Sequence, residues 1–167
     1  MSSKKNKPFY RYFTNILLAI IILSVGYFSF TIIYDLHVRY NNHVVLNTIA
    51  EANGDCAAKF THFIADIEKE TTWKVEIISG LRSKEAQIQL KRDNPRNASV
   101  NKSRHVLGRA IDLNLYKRVG FQFVVLKKAD SKGLWLATGV PQIAKKYGLL
   151  WGGTYKNYHD PVHFEVN

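Results

Sequence analysis

The sequence predicts an α+β domain with a small antiparallel sheet, preceded by one N-terminal transmembrane helix, and three observations predict it. Residues 14–34, TNILLAIIILSVGYFSFTIIY, run for 21 positions without a charged side chain. Two later segments, 73–78 and 109–115, alternate apolar and polar residues with the period of half-buried strands. Helical periodicity and Gly-, Asn- and Pro-rich turns fill the intervals between and after them.

At a rise of about 1.5 Å per residue, the uncharged run covers roughly 30 Å, the thickness of a bilayer's hydrocarbon core. It is longer than the apolar region of a cleavable signal peptide. Gly26-Tyr27-Phe28-Ser29-Phe30-Thr31 also puts bulky residues where a small-x-small cleavage site would lie. An uncleaved anchor follows, in contact with the lipid bilayer through residues 14–34. Residues 1–13 carry Lys4, Lys5, Lys7 and Arg11 and no acid, whereas 35–43 is neutral in sum. The positive-inside bias therefore puts a basic tail (1–13) in the cytoplasm and the rest of the chain outside the membrane, in a cell or a virion.

Beyond the anchor, residues 35–54 read as a connector with a helical lead-in around Val44, Val45, Leu46 and Ile49, and residues 55–167 as the folded domain. Phe60, Phe63, Ile64 and Ile67 keep helical spacing over roughly 55–70, with Asp55 a candidate N-cap. Trp73 to Ile78 forms a strand, stopped at Ser79-Gly80. Residues 83–91 are helical, and 92–103 form a polar loop. From Arg109 to Leu115, Ala110, Asp112 and Asn114 fall on one face and Ile111, Leu113 and Leu115 on the other. Residues 133–147 are helical but broken at Gly139 and Pro141. Leu149-Leu150-Trp151, a Gly152-Gly153 turn and a strand at Val162–Val166 close the chain.

Composition excludes several classes. Of 167 residues 46% are hydrophobic and 22% charged, and no fixed repeat recurs, so disordered chains, fibres and solenoids are out. One cysteine, Cys56, cannot close an intramolecular disulfide or build a cysteine zinc finger. The formal charge of +11 would suit nucleic acid. Four of those charges belong to the tail, however, and the exported part carries +7 on the wrong side of the membrane without a nucleic-acid-binding signature. An anionic wall polymer or lipid headgroup fits that charge better.

The chemistry concentrates in Ser103-Arg104-His105-Val106-Leu107-Gly108-Arg109-Ala110-Ile111-Asp112 and in His159-Asp160-Pro161-Val162-His163-Phe164-Glu165. Two histidines and a carboxylate make a three-ligand zinc set with an open fourth position, and their charge balance leaves the metal positive enough to acidify water. The second segment mimics the helical H-E-x-x-H pattern, but Pro161 and the β-favouring Val-x-Phe-x-Val ending rule out the helix that pattern needs. The metal therefore goes to His163, and Asp160 is left as the unligated carboxylate that moves the proton.

Ser79-Gly80-Leu81-Arg82-Ser83, the H-x-x-G-x-A-x-D run from His105 to Asp112, and Asp160-x-x-His163-Phe164 together resemble the M15 family of zinc peptidases over about residues 55–166. The family includes D-alanyl-D-alanine dipeptidases and carboxypeptidases and the L-alanyl-D-glutamate endopeptidases that serve as phage endolysins. The resemblance implies a hedgehog/DD-peptidase-type domain with one zinc ion on His105, Asp112 and His163, and Asp160 as acid/base. It also implies Arg82 as the group that pairs with substrate and stabilises the oxyanion, and Ser103 as a contact to the peptide backbone. The substrate would be the peptide stem of peptidoglycan. Asp rather than Glu at 160 looks like the L-alanyl-D-glutamate branch, which makes a cell-wall-degrading endopeptidase the expected activity. A D-alanyl-D-alanine carboxypeptidase or dipeptidase is the alternative, and a non-catalytic wall-binding module the second. The anchor departs from the many soluble endolysins that lack one. His37, His43, His62 and His159 have no partner pattern, and Lys127-Lys128 and Lys145-Lys146 read as solvated faces.

Overall fold

A computed structural model describes residues 7–167. Lys4 and Lys5 of the expected basic tail lie outside the described residues. The chain divides into two units, residues 1–37 and 38–167.

Helix α1 is Lys7–Ala52. It is the one helix among the described residues that is long and apolar enough to cross a membrane, with a mean hydropathy of 2.6 over its most apolar stretch. In the first unit its aliphatic side chains, Ile16, Leu23 and Ile33 among them, are exposed.

The second unit holds a five-stranded antiparallel sheet with helices packed against its apolar face. The strands are β1 (Lys74–Ser79), β2 (Ala110–Val119), β3 (Gln122–Leu126), β4 (Leu149–Trp151) and β5 (His163–Val166). The path runs β1-β2-β5-β4, with β3 paired to the far end of β2. The helices are α2 (Gly54–Glu70), α3 (Lys84–Asp93), α4 (Lys132–Leu136) and α5 (Val140–Lys146). Strand alternation separates core from chemistry. Ile111, Leu113 and Leu115 of β2 and Phe164 of β5 are fully buried against Phe60, Phe63 and Ile67 of α2 and Val140, Ile143 and Ala144 of α5. Phe164 is central, with ring centroids 5.1 Å from Phe63 and 6.5 Å from Trp135. The opposite face of the same strands carries Asp112, Asn114, His163 and Glu165, partly exposed.

Several elements differ from the sequence reading. Asn53, not Asp55, caps α2, since its side chain accepts from the Cys56 amide at 3.2 Å while Asp55 sits inside the first turn. Cys56 is buried, as a small hydrophobe would be. The break in the 133–147 helix falls at Gly139, whose left-handed φ of 80° starts α5 with Pro141 in its first turn. The sequence reading assigns no strand at β3, although Gly120, at φ 61°, turns a β-rich run back on β2.

Residues 38–52, expected as a connector and lead-in to a domain beginning at 55, pack into it. Val38 and Ile49 are buried, and between them Asn42 meets the outer edge of β1. Its amide donates to the Val75 carbonyl and accepts from the Ile77 amide, each at 2.8 Å. One side chain thus takes the place of a neighbouring strand and satisfies two backbone groups that a sheet edge would otherwise leave open.

Candidate active site

Three segments bring the candidate ligands together. His105 lies in the tight loop before β2, where Gly108 adopts a left-handed φ of 62° and its amide donates back to the His105 carbonyl at 3.2 Å. The same carbonyl accepts from the Arg82 amide at 3.2 Å, which joins this loop to the segment after β1. Asp112 is in the middle of β2, and antiparallel register puts it opposite His163 of β5 on one side and Ser79 of β1 on the other.

The ligand atoms form a triangle. Asp112 Oδ1 lies 2.8 Å from His163 Nδ1 and 3.2 Å from His105 Nε2, and the two ring nitrogens are 3.3 Å apart. A tetrahedral site with bonds of about 2.0 Å has ligand atoms about 3.3 Å apart, so the triangle matches one face of a zinc tetrahedron. The outer hydrogen bonds agree with that assignment. His105 Nδ1 donates to the Gly80 carbonyl at 2.8 Å, which leaves Nε2 with a lone pair toward the triangle. His163 Nε2 donates to Glu165 Oε2 at 3.1 Å, which leaves Nδ1 free in the same sense. These three residues are the cluster of His, Cys and carboxylate side chains among the described residues that could hold a metal ion.

The electrostatics favour a cation here. Burial works against a charge on Asp112, but hydrogen bonds from His105 and His163 outweigh it and hold the carboxyl well below the usual carboxylate range. Burial also works against a charge on His163, yet Asp112 and Glu165 overcome it and push the imidazole up to about 9. The hydrogen bond from His163 holds Glu165 low. Burial and the Glu165 carboxylate push the Tyr155 hydroxyl up. Surroundings that stabilise a proton on His163 to this extent are negative enough to stabilise a metal ion in its place.

The sequence reading gives Glu165 no role. The signal that could have found it is strand alternation, because residue 165 shares a face with residue 163 on β5. Glu165→Ala should weaken zinc binding about 10–100-fold, measured by competition with a chromogenic chelator. Unchanged affinity would show that the carboxylate does not orient His163.

A cleft of about 540 Å³ opens over the triangle. Arg82, Ser103 and Asp160 all line it, so each of the sequence-derived candidates borders one space. Arg82 is held by three partners. Its guanidinium donates to Ser79 Oγ and to Gln87 Oε1, both at 2.9 Å, and lies 3.9 Å from Asp112 Oδ2. Ser103 is buried and donates to the same Gln87 oxygen at 2.9 Å. Gln87, 2% exposed, is therefore a hub that sequence reasoning missed; it also donates to the Ala98 carbonyl at 2.8 Å. On α3 it looks like any polar helical residue, and only the tertiary fold buries it.

Asp160 precedes Pro161 in the segment entering β5, with its carbonyl accepting from the His163 amide at 3.2 Å. Its Oδ1 is buried without a hydrogen bond and lies 3.0 Å from Lys128 Nζ, an ion pair out of line for a hydrogen bond. Lys128, read from sequence as a solvated cation, is exposed and also lines the cleft. His159, read as partnerless, meets the Asp130 carbonyl through Nε2 at 2.9 Å.

The M15 peptidase family model described as D-alanyl-D-alanine carboxypeptidase matches residues 96–166, a span that includes His105, Asp112, Asp160 and His163. A solved structure, the L-Ala D-Glu endopeptidase ChiX of Serratia marcescens, aligns at a TM-score of 0.48 and 20% identity, covering 78% of this chain and 86% of that one. A search of curated proteins finds no match. The residues that match the M15 peptidase family model include His105, Asp112 and His163, the three that could hold a metal ion.

Proposed function

We propose that the protein is a zinc-dependent peptidoglycan peptidase that cuts the L-Ala–D-Glu bond of the peptide stem. The observation that carries this reading is the ligand triangle with Asp160 and Arg82 on the walls of the same cleft. In this reading His105, Asp112 and His163 hold one zinc ion in a hedgehog/DD-peptidase-type domain. When bound, zinc supplies Lewis acidity that polarises a carbonyl and makes water a nucleophile near neutral pH. Asp160 takes the proton from the attacking water and returns it to the leaving amine. Arg82, already fixed by Ser79 and Gln87, presents its guanidinium to charge developing on the scissile carbonyl oxygen; pre-organised, it needs no rearrangement as that charge appears. Ser103 spends its hydroxyl on Gln87 and so acts on substrate binding through the Gln87–Arg82 pair.

The choice of bond rests on Asp160, since the resemblance associates Asp rather than Glu at this place with L-alanyl-D-glutamate cleavage. The second reading, a D-alanyl-D-alanine carboxypeptidase, is favoured by the description of the matching family. Muropeptide mass spectrometry separates the two. New N-terminal D-Glu, abolished by a chelator and restored by zinc, is the expected result, and release of terminal D-alanine would replace it with the second reading.

The domain plan is part of the proposal: a cytoplasmic tail over 1–13, an anchor over 14–34 and a peptidase outside the cytoplasmic membrane. The uncharged run and its basic flank support it. Held at the membrane, the domain would work on peptidoglycan within reach of its tether rather than diffuse through the wall.

A further inference from the structure

The mechanism uses Asp160 but does not explain what holds its carboxylate. A buried carboxylate oxygen without a hydrogen-bond donor is costly unless a counter-charge stands beside it. Lys128 Nζ, 3.0 Å away, is the cation in that place. The Asp160 side chain is 14% exposed and that of Lys128 49%, so the pair joins a buried carboxylate to an ammonium at the mouth of the cleft.

Lys128 is itself held in place. It belongs to the turn between β3 and α4, where the Lys127 amide donates to Asp130 Oδ2 at 2.7 Å and the Asp130 amide returns to the Lys127 carbonyl at 3.0 Å. That carbonyl also accepts from the indole of Trp135 at 3.2 Å, and Trp135 is fully buried in the core. The Lys128 ammonium further donates to the Tyr158 hydroxyl at 2.8 Å and sits 4.7 Å from the centre of that ring. Across the gap, the Asp130 carbonyl takes the ring nitrogen of His159 at 2.9 Å. Residues 158, 159 and 160 are thus each attached to one turn, and that turn is anchored through Trp135. From the other side, Trp151 Nε1 donates to the Pro161 carbonyl at 2.7 Å.

We infer that Lys128 is a positioning residue for Asp160, with the β3–α4 turn acting as a brace that holds the carboxylate in place against the cleft. The inference rests on the reading of Asp160 as the acid/base group. Its physical content is separable from that reading. The ammonium fixes the place of the carboxylate, so its removal acts on turnover more than on substrate affinity.

The test uses the full chain loaded with zinc and a purified stem peptide as substrate. Lys128→Met should lower kcat about 10–100-fold, with KM within about 3-fold of the parent and zinc content unchanged. Lys128→Arg, which keeps the charge, should recover most of the loss. A wild-type kcat in Lys128→Met, a loss confined to KM, or a loss that Lys128→Arg does not recover would overturn the inference. Asp160→Asn, assayed in parallel, separates the two levels. If that variant is inactive and Lys128→Met is normal, the brace is wrong while the acid/base reading stands. If Asp160→Asn is fully active, the acid/base reading fails and the brace with it.

Discussion

Asp160→Asn should lower kcat about 10²–10⁴-fold while the protein keeps its zinc, whereas His163→Ala should lose zinc and hydrolysis together. The two residues are only three positions apart and line one cleft, yet their side chains have different tasks. Asp160 is outside the ligand triangle, so replacing its carboxylate with an isosteric amide removes a proton acceptor and leaves the three donor atoms in place. His163 supplies one of those three atoms, and two donors make a poor zinc site. Zinc content by atomic emission alongside zymogram activity gives both readouts. Undiminished lysis by His163→Ala would sink the mechanism, and undiminished lysis by Asp160→Asn would remove Asp160 from it. Both variants should still bind sacculi, because the basic surface is untouched.

Gly152→Ala should be nearly as damaging without altering any chemical group. A Cβ at residue 152 would lie 2.4 Å from the Asp160 carbonyl oxygen and 3.0 Å from His163 Cβ. The nearer neighbour is backbone and cannot swing aside, so the segment carrying both residues has to shift. Overpacking of this kind costs about 1–3 kcal/mol of stability. A displacement of about 1 Å at Asp160 would cost on the order of 10²-fold in rate. The expected outcome is a lower melting temperature with a larger relative loss in kcat than in folded fraction. Wild-type turnover would mean that the strand tolerates the methyl group and that the close approach has no bearing on the site.

The candidate ligands were legible in the sequence because each depends on short-range pattern. Strand alternation alone puts Asp112 on the face opposite Ile111 and Leu113, and the proline at 161 forbids the helix that would have paired His159 with His163. The broken helix near Gly139 was readable for the same local reason. Asn42, Gln87 and Lys128 were not. Each is a polar residue whose partners are distant in sequence: Asn42 meets residues 75 and 77, Gln87 meets residues 98 and 103 as well as Arg82, and Lys128 meets residues 158 and 160. Nothing in their neighbourhoods distinguishes them from solvated side chains until the sheet is assembled. Strand β3 is a different case, because Gly120 between two β-favouring runs was a usable hairpin signal.

The amide of Asn42 on the rim of β1 determines where the enzyme can be cut. A fragment beginning at residue 55 would retain the zinc ligands and every strand but bare the Val75 and Ile77 backbone groups, inviting one copy to add its strand to another. A soluble fragment for crystallisation or assay should therefore start at Val38 or before, so that the polypeptide brings its own cover for the sheet.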